Sequence, residues 1–459
     1  MLFNTDWLMR LFEDFTGMPE NDVSVHSVET DSRKAAEKSL FVPLVGEKFD
    51  GHDYIKQAFD NGAIATFWKK GKPLPNFLPA DFPVFFVEDT LLAMQQLAKA
   101  YRDKVDPVVI GITGSNGKTT TKDLVSAVVW QKYNTHFTNG NFNNHIGLPL
   151  TILSMDPKTE VLVLEMGMNH SGEIATLTKI AEPDYGIITN IGEAHIEYLG
   201  SREGIARAKL EILQGLKHDG IFIFNGDEPL LQMQTYAQET ITCGFHEDND
   251  IVIHDVSVEA QQTVFRLGAD ETYRIPLLGE HHCQNAAYAI TVGKKLGLQH
   301  HEIQRAFDEM KLTGMRFEML KGKNGSIIIN DAYNASPSSM RASIEVVKQL
   351  KPYAVKVLVL GDMFELGSDA EQWHRQMADS ITEPISAVLT YGHDAQYIAS
   401  AMNSGQTGIT CEHFASKEEL LKNLQTYLRP EALILFKASR GMNFETMVNE
   451  VLEVTNLTE

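Results

Sequence analysis

The sequence predicts an α/β protein of three domains: a small α/β N-terminal domain, a central parallel-sheet domain of the P-loop ATPase type, and a C-terminal Rossmann-like domain. Three observations predict it. From Val108 onward, short apolar runs alternate with helical stretches, the pattern of βαβ units on a parallel sheet. The loop Thr113-Gly114-Ser115-Asn116-Gly117-Lys118-Thr119-Thr120 joins one such run to a helical stretch. After Thr313-Gly314 the alternation begins afresh. At roughly 100–200 residues per domain, 459 residues leave room for about two to four domains.

Taken in order, residues 1–104 mix short strands and helices. The start, MLFNTDWLMRLFEDF, reads as an amphipathic helix; it has no basic leader and is not a signal peptide. Leu40–Gly46 is strand-like and Gly51–Asp60 helix-like. Thr90–Arg102 carries Leu91, Leu92, Met94, Leu97, Ala98 and Tyr101 at helical spacing. Asp103–Pro107 breaks that pattern and sets the first boundary. In residues 105–313 the apolar runs are Val108–Ile112, Val161–Glu165, Gly186–Asn190 and Ile221–Asn225. The helical stretches include Lys118–Gln131, Gly172–Ile180 and Arg202–Leu216. Ile251–Val258 and Thr263–Leu267 read as antiparallel strands, followed by helices near His282–Leu296 and His301–Met310. Residues 314–459 add runs at Ile327–Asn330, Lys356–Gly361, Ser386–Tyr391 and Ala432–Phe436, a second, smaller doubly wound domain.

The formal net charge of −21 argues against nucleic-acid or anionic-membrane partners, which need a basic surface. Cys243, Cys283 and Cys411 form no CxxC pair, which fits a reduced compartment without disulfides. No apolar run approaches the roughly 18 residues needed to span a bilayer. A cytoplasmic, small-molecule-handling protein is expected.

The chemistry centres on the loop 113–120. A strand-to-helix loop with Gly-Lys-Thr-Thr offers backbone N–H groups to phosphate, and the helix dipole adds to the attraction. Lys118 can reach the outer phosphates and the Thr119 hydroxyl can coordinate Mg²⁺. The strict phosphate-loop pattern wants glycine where this chain has Ile112, so the loop is a variant. Glu165, at the end of an apolar run, is a candidate carboxylate for the metal. His195, judged alone, is more often a surface or hydrogen-bonded residue than a ligand. Lys209 sits four residues from both Ile205 and Leu213, on an apolar stripe. Spacing alone favours a lysine snorkelling from a core edge. The sharper alternative is a desolvated, neutral amine of the kind that reacts with CO₂.

These motifs together resemble the Mur ligase family over nearly the whole chain. The segments Thr113–Thr120 (Ile112 included), Glu165-Met-Gly, His195 and Ala208-Lys209-Leu-Glu-Ile resemble that family's ATP loop, metal ligands and carbamoylated lysine. Gly279-Glu-His-His-Cys-Gln-Asn285-Ala is similar to its adenine-contacting helix start. Met315-Arg316-Phe-Glu is similar to the arginine at the C-terminal domain entry, and Asn330-Asp331-Ala-Tyr-Asn334-Ala-Ser-Pro to a strand end facing the nucleotide. Asp31-Ser32-Arg33, Asn141-Phe-Asn-Asn144-His-Ile-Gly-Leu-Pro, Leu360–Gly367 and Lys437-Ala-Ser-Arg440 most resemble the members that add D-alanyl-D-alanine to UDP-N-acetylmuramoyl-tripeptide. The Asp-Asn-Pro-Arg segment of the sister that adds the third residue is absent.

The resemblance implies an ATP-dependent carboxylate–amine ligase of peptidoglycan precursor synthesis, working as a monomer through an acyl phosphate. Lys118, His195, Lys209 and Arg316 would be catalytic. Gly114, Ser115, Asn116, Gly117, Lys118, Thr119, Thr120, Asn285, Arg316 and Asp331 would hold ATP. Thr119, Glu165, His195 and carbamoylated Lys209 would hold two Mg²⁺ ions, and Ser32, Arg33 and Asn144 the UDP substrate. Rival readings are a ligase of the same type with another amine, a P-loop kinase or NTPase, and a non-catalytic nucleotide-binding regulator.

Overall fold

The computed structural model describes residues 1–18, 22–268, 271–310, 313–405 and 408–453. Three sheets organise them. In the central one, Thr135–Phe137, Val161–Glu165, Val108–Thr113, Tyr185–Ile188, Ile221–Asn225, Glu239–Gly244 and Ile251–Val258 lie side by side and parallel. Thr263–Leu267 and Glu271–Ile275 extend it with an antiparallel edge. The inner strands are continuous apolar runs because both faces are covered. Successive residues serve opposite faces. Ile110, Ile112 and Val163 pack under the helices Lys118–Trp130 and Glu280–Lys295. Val109, Leu162 and Leu164 pack on the other face with Ile174, Ile205 and Ile212.

In the C-terminal sheet, Ile327–Asn330, Ala432–Lys437, Val355–Gly361, Ala387–Tyr391 and Thr410–Phe414 run parallel, with Glu318–Lys321 antiparallel at one edge. In the N-terminal sheet, Ser27–Glu29, Ser39–Phe41, Ala63–Lys69 and Val84–Val87 run parallel, and Phe15–Thr16 is antiparallel. No helix among the described residues is long and apolar enough to cross a membrane.

Several elements differ from the sequence reading. The amphipathic N-terminal helix is only Thr5–Leu11; Phe3–Asn4 pairs instead with Ser24–Val25, and the Asn4 side chain caps the helix. The strand expected over Leu40–Gly46 is Ser39–Phe41, cut short by Pro43, which cannot donate to a ladder. Arg202–Leu216 is not one helix. It is α-helical over Arg202–Leu210 and tightens to a 3₁₀ turn at Glu211–Gln214. There the Glu211 carboxylate turns aside to accept N–H groups of Gly172 and Ala175, and the Ile212 carbonyl accepts the Thr178 hydroxyl. Ile251–Val258, read as purely antiparallel, also pairs in parallel with Glu239–Gly244.

The two interfaces of the central sheet differ in character. The helix Thr90–Val105 joins the N-terminal sheet to the central one through a shared apolar core. Tyr101, fully buried, donates its hydroxyl to the Met155 carbonyl at 2.9 Å. The C-terminal sheet meets the central one through polar contacts and a small apolar patch at Leu278, Ile196 and Val258. Asn116 donates to Ser338 Oγ at 3.0 Å and accepts from Ser336 Oγ at 3.2 Å. Glu193 accepts the Ser338 N–H at 3.1 Å and pairs with Arg341. Polar interfaces of this kind permit relative domain motion.

Tyr101→Phe removes the donor and leaves a buried carbonyl unpaired, a loss of about 1–3 kcal/mol. Thermal unfolding is expected to show a lowered midpoint; an unchanged midpoint would mean that this hydrogen bond does not tie the two sheets together.

Candidate active site

The carboxyl ends of the central strands open onto a cavity of about 650 Å³, closed on its far side by residues 316–343 and Lys437 of the C-terminal part. Ligand crevices in parallel α/β sheets form at these strand ends. Ser115–Thr120, Asn144, Glu165, His195, Asn285, Arg316 and Asp331 all line it. Gly114, Ser32, Arg33 and Lys209 are not part of the lining.

Ile112 is fully buried in the sheet, paired with Glu165 and Ile187, so the strand runs on to Thr113 before the chain turns. The turn therefore falls at Gly114. A Cβ there would lie 1.8 Å from Thr189 Oγ1, so no side chain fits. Gly117 has φ +79° and packs against Asn285. The loop is held by its neighbours: Asn116 N–H donates to Asn190 Oδ1 at 3.0 Å, and Thr189 Oγ1 donates to the Asn116 carbonyl at 2.6 Å. Lys118 folds back over the loop, donating to the Gly114 carbonyl at 2.7 Å. Burial pushes its pKa down, and the nearby Arg316 charge adds to that, whereas Glu165 opposes it.

Thr119, in the first turn of the helix that follows Val108–Thr113, meets Glu165 because that strand pairs with Val161–Glu165. The Thr119 hydroxyl donates to Glu165 Oε2 at 2.6 Å, and Asn143 Nδ2 donates to Oε1 at 2.8 Å. Two hard oxygen donors thus stand side by side at the loop. No group of three or more His, Cys, Asp or Glu among the described residues could hold a metal unaided. A cation here would draw its remaining ligands from phosphate and water oxygens, the habit of Mg²⁺.

Across the cavity, the Arg316 guanidinium stacks 3.9 Å above the Tyr333 ring. Its Nε is buried and has no hydrogen-bond partner. A buried, unpaired guanidinium nitrogen is costly unless an anion completes it. Asp331 is already engaged: it pairs with Lys437 at 2.6 Å and accepts from Ser343 Oγ at 2.6 Å. At the start of the helix Glu280–Lys295, Asn285 and His282 are buried side by side, and His282 Nε2 has no partner. Burial first, then the neighbouring His281, keeps His282 well below its usual pKa and therefore neutral.

His195 adopts a left-handed backbone, φ +65°. Its Nδ1 stands 2.5 Å from Glu365 Oε2, at ion-pair distance but off the hydrogen-bond direction. The contact with His195 is the main reason that Glu365 titrates below its usual range. Lys209 does not snorkel. It is 1% exposed, and its side-chain amine makes no hydrogen bond or ion pair with the described residues. Burial, then the Lys118 charge, holds its pKa well below the usual value.

In the N-terminal sheet, Ser32 donates to Gln57 at 2.8 Å. Arg33 is exposed and doubly bonded to Asp31, whose carboxyl this contact holds well below the usual range. Asn144 accepts the N–H groups of Ile146 and Gly147, capping the helix Gly147–Leu153. Sequence reasoning missed Asn143, His282, Tyr333 and Glu365. All four lay inside quoted motifs, but only the folded chain reveals that Asn143 faces Glu165 and Glu365 faces His195.

Comparison with known proteins agrees along the chain. Residues 24–102 match the description "Mur ligase family, catalytic domain", residues 112–293 "Mur ligase middle domain", and residues 315–440 "Mur ligase, glutamate ligase domain". The UDP-N-acetylmuramoyl-tripeptide–D-alanyl-D-alanine ligase of Bacillus subtilis is 47% identical, covering 94% of this chain and 93% of its own. Its Escherichia coli counterpart is 33% identical, covering 94% and 95%. A crystal structure of MurF from Acinetobacter baumannii superposes with a TM-score of 0.86 at 29% identity, covering 98% of each chain. MurF ligase from Thermotoga maritima in complex with ADP gives 0.81 at 29% identity, covering 93% and 96%. Shared fold, shared cavity and close relatives along nearly the full length agree: the chain belongs to the Mur ligase family.

Proposed function

We propose that this chain is the ATP-dependent ligase that joins D-alanyl-D-alanine to UDP-N-acetylmuramoyl-tripeptide in peptidoglycan precursor synthesis, as a cytoplasmic monomer. The single observation that carries the catalytic reading is the cavity itself. It sets a phosphate loop and the Thr119–Glu165 pair on one side and the unpaired Arg316 on the other. The near-full-length relatives supply the substrates. Residues 1–104 would bind the UDP end through Ser32 and Arg33, residues 105–313 the ATP phosphates, and residues 314–459 the nucleotide's outer face and the dipeptide.

The first step requires a substrate carboxylate to approach the γ-phosphorus of ATP, two anions meeting. The backbone of Gly114–Thr120 and the Lys118 ammonium hold the phosphates, while Arg316 takes up charge as it develops. Thr119 and Glu165 would hold one Mg²⁺, which, when bound, neutralises phosphate oxygens. The carboxylate oxygen bonds to phosphorus, ADP leaves, and an acyl phosphate remains. In the second step the neutral amine of D-alanyl-D-alanine attacks the acyl carbon and expels phosphate. Asn285, with His282, flanks the position for adenine, and Asp331, fixed by Lys437 and Ser343, faces the nucleotide. Asn144 would present the rim of the cavity to the substrate.

Lys209 fits a further role. A buried amine whose burial favours the uncharged form attacks CO₂ through its lone pair to form an N–C bond and lose a proton. The resulting carbamate is an anionic oxygen ligand suited to a second Mg²⁺ shared with His195. Lys209 is buried behind the cavity wall, and the one charge that bears on it, Lys118, repels its ammonium form.

Phosphate release is expected only when UDP-muramoyl-tripeptide and D-alanyl-D-alanine are both present. Release without the dipeptide would sink the assignment, and transfer of phosphate onto a stable product would point to a kinase. Gly114→Ala should abolish nucleotide binding in titration calorimetry, because the methyl group meets Thr189; retained affinity would contradict the account of the loop. Arg316→Ala should lower kcat by roughly 100- to 1,000-fold, and a change in KM alone would remove Arg316 from charge stabilisation. Carbon-13-labelled bicarbonate should give a carbamate resonance that Lys209→Ala loses together with activity; a fully active Lys209→Ala enzyme would exclude Lys209 from the mechanism.

A further inference from the structure

The contact between His195 and Glu365 joins two parts of the chain that fold on different sheets. His195 follows the central strand Tyr185–Ile188, and Glu365 follows the C-terminal strand Val355–Gly361. Both residues are non-glycine and both are left-handed, at φ +65° and φ +61°. Such backbone persists only where the surroundings over-determine it, and it gathers at functional sites.

The surroundings of Glu365 do over-determine it. Asp362 accepts the N–H groups of His393, Asp394 and Ala395 at 2.9, 2.9 and 2.7 Å. Met363 N–H donates to His374 Nε2 at 2.9 Å, and Phe364 N–H to Ser439 Oγ at 2.8 Å. Residues 362–364, which lead to Glu365, are therefore pinned. The loop also docks on the far side: Glu197 N–H donates to the Glu365 carbonyl at 3.2 Å, and Gly367 lies against Glu197. The carboxylate ends beside Nδ1 of His195, a residue of the cavity wall.

We infer that Glu365 is a positioning residue: carried in by the C-terminal domain, it fixes the imidazole of His195 so that Nε2, not Nδ1, is the nitrogen available to the cavity. An imidazole that ligates through one nitrogen gains orientation and basicity when the other faces a carboxylate. Because Glu365 arrives only with the docked C-terminal domain, His195 is set for its role only in the closed arrangement. Domain docking and assembly of the metal site become one event. The inference rests on the reading of His195 as a metal-facing residue.

The test is Mn²⁺ binding to the full-length enzyme with ADP, followed by electron paramagnetic resonance, for the parent, Glu365→Gln and His195→Ala. Glu365→Gln keeps the shape and removes the charge. It is expected to bind the Mn²⁺ ion that His195→Ala loses about 10- to 100-fold more weakly than the parent. Its melting temperature and KM for ATP should stay near those of the parent, and kcat should fall. Parent-like Mn²⁺ binding in Glu365→Gln, with loss in His195→Ala, would overturn the positioning role and leave the metal reading intact. Parent-like binding in His195→Ala would overturn both.

Discussion

Activating a carboxylate with ATP brings two anions into contact, and nearly every feature of this cavity follows from that repulsion. Positive charge must be supplied without being spent on the protein's own acids. Lys118 hydrogen-bonds only to loop carbonyls, and Arg316 stacks on an uncharged ring with a nitrogen left over. The carboxylates are handled in the opposite way. Asp331 is tied to Lys437, and Glu165 is bonded by a hydroxyl and an amide rather than by a cation. A cationic partner at Glu165 would compete with a metal ion; Thr119 and Asn143 orient the carboxylate and leave its charge available.

The fold serves this arrangement by dividing labour between two kinds of interface. The N-terminal sheet is fused to the central one by an apolar core, and the buried Tyr101 ties the junction. The C-terminal sheet meets the phosphate loop through Asn116 and the serines at the start of the helix Pro337–Gln349. Arg316 and Glu365 lie on the C-terminal side, so the contact between the C-terminal and central parts controls whether the site is complete. Closure of this sort also keeps water from an acyl phosphate.

Much of this was legible in the sequence. The alternating runs located the inner strands, and Val161–Glu165 and Ile221–Asn225 agree residue for residue. Short edge strands such as Thr135–Phe137 and Thr410–Phe414 escaped, because a few residues packed by their neighbours carry little pattern of their own. The loop was legible as a phosphate loop, yet the reason for Ile112 was not: it lies in the register of three parallel strands. Lys209 shows the same limit. Its spacing marked an oddity, and spacing favoured a snorkelling side chain, but burial is set by the helices around it. Contacts between distant segments, Thr119 with Glu165 or His195 with Glu365, are invisible to any local pattern.

In this cavity the substrate carboxylate is activated by phosphorylation, so one of its oxygens leaves with the phosphate. The most direct measurement is the fate of a heavy-oxygen label placed in the terminal carboxylate of UDP-muramoyl-tripeptide, followed by mass spectrometry of the phosphate released on ligation. An acyl-phosphate route predicts transfer of one labelled oxygen to each phosphate. Phosphate without label, released alongside a correctly ligated product, would contradict it.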